Sequence, residues 1–164
     1  MPLLIRPKHP DDWPQVAQIY QEGIDTGVAT FETQVPAYAD WDKSHTDYGR
    51  LIAEVDGQVA GWAALTPVSS RCVYAGVAEV SVYVASWARG QGIGRALLQA
   101  LIATSEQQGL WTLEAVIFSK NLPSIALHRS VGFRLIGYQE KIGQLQGCWH
   151  DITLMERRSK SVGS

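Results

Sequence analysis

The order of periodic segments predicts a single mixed α/β domain, in which one mostly antiparallel sheet carries helices on both faces. Three observations point there. Seven strand-like stretches alternate with four helical ones in the order β-α-α-β-β-β-α-β-α-β-β. The middle strands follow one another through short connections, as in an antiparallel meander. The later β-α-β-α-β run implies parallel neighbours joined by right-handed crossovers. No repeat, linker or low-complexity tract divides the 164 residues, a length suited to one core. Residues 1–156 are therefore assigned to the domain and 157–164 to a polar tail expected to fray.

Each element has a local reason. Residues 3–6 form a short apolar strand. Asp11 and Asp12 offer N-caps and Pro14 fits a first helical turn. Val16, Ala17, Ile19, Tyr20 and Ile24 then recur at helical spacing, so residues 12–25 read as an amphipathic helix closed by Gly27. Residues 26–37 are too polar and broken for a long element, and 38–47 read as a second helix. Residues 50–55 and 58–65 are strands, because Asp56-Gly57 between them is a two-residue hairpin turn. After a loop at 67–71 come a long β-prone stretch at 73–84 and a helix at 93–108 capped by Gly109. A strand at 111–118, a helix at 122–131 ended by Gly132, and strands at 133–142 and 148–155 complete the chain.

Composition narrows the function. Charged residues are 18% of the chain and the formal net charge is -2, so there is no basic surplus to neutralise a nucleic-acid backbone. No apolar run reaches the length of a membrane span, and the first residues lack the apolar core of a secretory signal. Cys72 and Cys148 form neither a CxxC pair nor a disulfide framework. A cytoplasmic protein with no nucleic-acid or membrane partner is the expectation.

The most informative stretch is 79–98. A β-rich run from Glu79 meets three alternating glycines, Gly90, Gly92 and Gly94, and a helix follows at once. Glycines let backbone approach a ligand, and a helix N-terminus presents free N–H groups and a dipole that favours anions. Together they make a phosphate cradle. The P-loop pattern is missing. In the dinucleotide pattern the third glycine would come one residue later, although Glu114 stands twenty residues after Gly94, near the place of a ribose-binding acid. A glycine loop after a meander also does not open a βαβ domain.

The run Arg89-Gly90-Gln91-Gly92-Ile93-Gly94 resembles the Arg/Gln-x-x-Gly-x-Gly/Ala signature of the GNAT superfamily of N-acetyltransferases. The resemblance extends along nearly the whole chain. It is nearest to the phosphinothricin and methionine-sulfoximine acetyltransferases, through Thr30-Phe31-Glu32, Glu79-Val80-Ser81-Val82-Tyr83-Val84, Asn121-Leu122-Pro123-Ser124, Leu127-His128 and Gly147-Cys148-Trp149-His150-Asp151. It implies acetyl-CoA as cosubstrate, no metal, and a homodimer.

The resemblance also implies roles. Val82, Tyr83 and Val84 would pair with the pantetheine arm as an added strand, with a backbone N–H near Val82 facing the oxyanion. Gly90, Gln91, Gly92, Ile93, Gly94 and Arg95, with Arg89, would surround the pyrophosphate, and Asn121 would hydrogen-bond the pantetheine. Glu79 would be the general base, since an amine must lose a proton before it attacks a thioester. His128, or less favourably Tyr83, would return a proton to the thiolate. Phe31, Arg71, Tyr74, Glu79 and Ser81 would hold the acceptor, with Arg71 on its carboxylate. The branch often has an Arg-Pro-Phe-like run before the base strand and a threonine two before the glutamate. Here Ser-Ser-Arg and Val77 stand instead, and Gln21 replaces an asparagine common after Ile-Tyr, so the acceptor's identity is the least defined feature. A protein N-terminus or a polyamine is the alternative acceptor, and a non-catalytic CoA-binding module the alternative class. Covalent transfer through a cysteine is disfavoured, because Cys148 has no positioned base beside it.

Overall fold

The structure is a computed structural model that describes residues 2–164. Its elements are β1 Leu3–Pro7, α1 Trp13–Asp25, α2 Tyr38–Ser44, β2 Leu51–Val55, β3 Gln58–Pro67 and β4 Val77–Val84. They continue as α3 Ile93–Gln107, β5 Thr112–Phe118, α4 Leu122–Ser130, β6 Arg134–Leu145 and β7 Cys148–Arg158. The seven strands form one sheet in the order β1-β2-β3-β4-β5-β7-β6. Only β4 and β5 run parallel; every other neighbouring pair is antiparallel. The expected second parallel pair is absent because β7 inserts between β5 and β6.

Local chemistry explains the boundaries. Asp56 and Gly57 turn β2 into β3 with φ of 52° and 79°, both in the left-handed region that a two-residue hairpin of this hand requires. A second such hairpin, Gln146-Gly147 with φ of 50° and 82°, joins β6 to β7, so β6 runs past the expected end at residue 142. The long β-prone stretch starts late. Cys72–Tyr74 form a 3-10 turn and β4 begins only at Val77. Between them Gly76 lies against the indole of Trp111, where a Cβ would come within 2.0 Å of the ring, and its carbonyl accepts from the N–H of Trp111 and Thr112. Asp12 does not cap α1 through its side chain. Its carboxylate accepts from the His9 N–H at 2.6 Å and from both terminal nitrogens of Arg6, at 2.8 and 2.9 Å, tying β1 to the start of the helix.

The helices cover both faces. Tyr20 of α1 stacks near Trp62 and Tyr83, with ring centroids 5.6 and 5.0 Å away. Ile93 and Leu97 of α3 approach Gly61, which precedes Trp62 and so points the other way. The main core includes Ile52, Ala63, Leu65, Leu97, Leu98 and Leu101, all 1% exposed or less. The tail does not fray as expected. β7 extends two residues past the boundary at 156, Ser159 is buried with its N–H on the Trp111 carbonyl, and Arg158 grips the carbonyls of Val162 and Gly163. No helix among the described residues is long and apolar enough to cross a membrane.

Candidate active site

The site begins where two strands part. β4 and β5 share only three register steps, Val77↔Thr112, Ala78↔Leu113 and Glu79↔Glu114. On its other edge β4 stays paired to β3 as far as Val84, and β5 stays paired to β7 as far as Phe118. Past Glu79 the two inner edges therefore diverge with their backbone groups free of each other. They form opposite walls of a cleft of about 890 Å³ that runs through the sheet. A free strand edge is a ready partner for an extended ligand.

One end of the cleft is the glycine turn. Gly90 and Gly92 hold φ of 77° and 76°, and Gly92 is the N-cap of α3. A Cβ at either would meet nothing within 4 Å, so glycine is needed there for backbone conformation and not for space. The first helical bond from this turn is Ala96 N–H to the Gly92 carbonyl at 3.1 Å, leaving the N–H groups of Ile93, Gly94 and Arg95 without a helical acceptor. Gly94 is a packing glycine: a Cβ would lie 3.0 Å from Leu127 of α4. Arg89 and Arg95 supply the cationic side chains at this end. An anionic, phosphate-bearing ligand fits this donor set.

Glu79 sits at the fork, half-buried, on the face shared with Ser81, Tyr83 and Thr66. Burial raises its pKa above the ordinary carboxylate range, and the nearby charge of Glu114 raises it further. That is the direction a general base for an ammonium requires. Tyr83 stacks on Trp62 at 4.8 Å, and burial lifts its phenol far above the neutral range, so it stays protonated. Tyr20 is pushed up to about 12 for the same reason.

His128, a buried residue of α4, contacts the carbonyl of Ser124 through Nδ1 at 2.7 Å. A carbonyl only accepts, so Nδ1 carries the proton and Nε2 is the atom left to exchange one. Burial lowers the pKa of this ring, which is therefore neutral at neutral pH and poorly suited to donate a second proton. Asn121 caps α4: its Oδ1 accepts from Ser124 N–H and its Nδ2 donates to the Val28 carbonyl. It joins the loop between α1 and α2 to α4 while still lining the cleft.

Most sequence-derived candidates converge. Phe31, Glu79, Ser81, Val82, Tyr83, Val84, Arg89, Gly90, Gly92, Ile93, Gly94, Arg95, Asn121 and His128 all line the cleft. Three do not. Gln91 is exposed in the turn and does not line the cleft. Tyr74 lines a smaller cavity, and Arg71 lies over its ring at 5.5 Å on the exposed loop before β4. Neither Cys72 nor Cys148 lines the cleft, and both are exposed free thiols. Sequence reasoning missed His45, Thr66 and Gly23. His45 follows α2, with Nδ1 held by the Trp41 carbonyl at 2.6 Å and its ring stacked on that indole. Gly23 had a visible signal, an unneeded glycine inside a helix; a Cβ there would lie 2.6 Å from the Tyr83 ring.

Known proteins carry the same arrangement. The model of the acetyltransferase (GNAT) family matches residues 13–133. A phosphinothricin N-acetyltransferase of Streptomyces viridochromogenes is 32% identical over 160 residues, covering 95% of this chain and 87% of that protein. An L-methionine sulfoximine/L-methionine sulfone acetyltransferase of Pseudomonas aeruginosa is 36% identical over 152 residues, with 88% of each chain covered. Among solved structures, a phosphinothricin acetyltransferase of Sinorhizobium meliloti in complex with AcCoA superposes with a TM-score of 0.87 at 31% identity, covering 99% of this chain and 96% of that one. A forked sheet, a glycine turn at a helix N-terminus and a match over most of the sequence agree: the chain belongs to the acetyltransferase (GNAT) family and is an N-acetyltransferase.

Proposed function

We propose that this enzyme moves an acetyl group from acetyl-CoA directly to the amine of a small amino-acid-like compound, of the phosphinothricin, methionine sulfoximine or methionine sulfone type. One observation carries the reading: the fork between β4 and β5 sets a half-buried carboxylate at the head of an open strand edge that leads to the glycine turn. The names of the relatives supply the substrate class.

In this reading the pyrophosphate rests on the N–H groups of the turn and of Ile93, Gly94 and Arg95. The pantetheine pairs with the edge at Val82, Tyr83 and Val84, and the N–H near Val82 donates to the thioester oxygen. Glu79 takes the amine's proton, directly or through one water, and the amine attacks within the ternary complex. His128 exchanges a proton through Nε2 on the coenzyme side. Phe31 and Ser81 bound the acceptor. Arg71 binds the acceptor carboxylate only if a second copy of the chain brings its loop to the cleft, so the active form is a homodimer. The exposed Val73 and Tyr74 beside Arg71 give that loop an apolar surface to bury. The setting is cytoplasmic and the task is inactivation of toxic amino-acid analogues.

A polyamine acceptor is the second reading. The arginines of the cleft lie at the glycine end, whereas Glu32 and Glu79 line it on the α1 side, and carboxylates suit a cationic substrate. A thiol-release assay over an amine panel decides between them. Turnover with methionine sulfone or phosphinothricin, lost for the corresponding amine without a carboxylate, supports the first. A preference for spermidine overturns it.

A further inference from the structure

In the sequence Glu114 stands twenty residues after Gly94, near the place of a ribose-binding acid. The structure gives it another place. It stands directly beside Glu79 in the parallel register of β4 and β5, at the last step before the strands part. Residues level with each other in neighbouring strands point to the same face, so the two carboxyl groups share one side of the sheet. Like charges opposed in a sheet destabilise it, and a pairing kept at the mouth of an active-site fork asks for a reason.

The surroundings separate the two groups. Glu79 faces the cleft, together with Tyr83 on its own strand, Tyr20 on α1, Glu32 in the following loop and His45 after α2. Glu114 opens instead into the smaller cavity of about 500 Å³, with Glu156 and Arg158 of β7. Glu156 is engaged by Arg134, and Arg158 is turned to the carbonyls of Ser159, Val162 and Gly163. Among the described residues, neither Glu79 nor Glu114 has an ion-pair partner. No ion pair within 4.0 Å therefore holds either carboxylate.

We propose that Glu114 is a positioning residue for acetyl transfer: from the adjacent strand it sets a second negative charge against Glu79 and keeps that carboxylate a strong enough base to deprotonate an ammonium. This rests on the reading of Glu79 as the base. The upward shift of Glu79, with burial as its larger cause and Glu114 as its second, agrees with the placement.

The test is the pH profile of kcat/KM for the acceptor in the wild type, Glu114→Gln, Glu114→Asp and Glu156→Gln. Glu79 acts when deprotonated, so activity rises with pH through its pKa. Removing the neighbouring charge lowers that pKa, and the acid limb of Glu114→Gln is expected to move down by roughly one pH unit. Turnover on the plateau falls several-fold as the base weakens, while the KM for acetyl-CoA stays put. Glu114→Asp, which keeps the charge, restores most of the limb, and Glu156→Gln leaves it in place. An acid limb unmoved in Glu114→Gln, alongside a Glu79→Gln variant that has lost it, overturns the proposal and leaves the base reading intact. If Glu114→Gln does not fold, Glu114→Thr removes the charge in its place: an acid limb moved down supports the role, and a limb at the wild-type position contradicts it. A Glu79→Gln variant with the wild-type profile overturns both.

Discussion

At the residue scale, the chemistry comes from where side chains lose water. Glu79 is half-buried and His128 buried, yet loss of water shifts them in opposite senses, because it disfavours whichever form carries charge. The carboxylate becomes a better base, while the imidazole spends less of its time protonated. With Nδ1 tied to Ser124, His128 is neutral in the working range, and a coenzyme thiolate, with an ordinary thiol pKa of about 8.5, is a tolerable leaving group without a strong acid beside it. His128→Gln is therefore expected to lower kcat by about tenfold at most, well short of the ~100-fold or more typical of a lost general acid. A loss of a thousandfold in steady-state assays, with the fold intact by circular dichroism, would restore His128 to the acid role.

At the element scale, the glycine turn is where backbone geometry alone sets affinity. Gly92→Ala adds a methyl group that touches nothing but forces a left-handed φ of 76° on a residue that resists it, at about 1–2 kcal/mol. The expected result is a KM for acetyl-CoA raised roughly tenfold with the acceptor KM little changed; equal KM values would remove the turn from the coenzyme site. This part of the molecule was legible in the sequence, because strand, glycines and helix start adjoin one another in the chain. The same holds for the Asp56-Gly57 hairpin, and most of the candidate site residues line the cleft. What was not legible depends on distant contacts. Val73 has the composition of a strand residue but sits in a 3-10 turn, since Gly76 must pass under Trp111. His45 reaches the cleft only because Trp41 of α2 is packed against Trp62. Arg71 is next to the base strand in sequence yet turns to Tyr74, away from the cleft.

At the scale of the whole molecule, the sheet is both core and active site. β7 pairs with β5 along its whole length, and β3 with β4. Those outer pairings hold the fork open, and the one parallel contact ends at Glu79. In the proposed reading a second copy brings Arg71 to the cleft, which would make quaternary structure part of catalysis. Sedimentation at micromolar concentration is expected to give a dimer, and Arg71→Ala is expected to raise the KM for carboxylate-bearing acceptors without dissociating it. A monomer with full activity would remove Arg71 from the site. The most direct measurement is the pH dependence of acetyl transfer in the wild type against Glu79→Gln. The wild-type rate should fall with acidification at a pH above the ordinary glutamate range, because the raised carboxyl takes up its proton early. Glu79→Gln should lose that limb and ~100-fold or more in turnover while binding acetyl-CoA unchanged. Full activity of Glu79→Gln across the same pH range would contradict a base at the fork of the sheet.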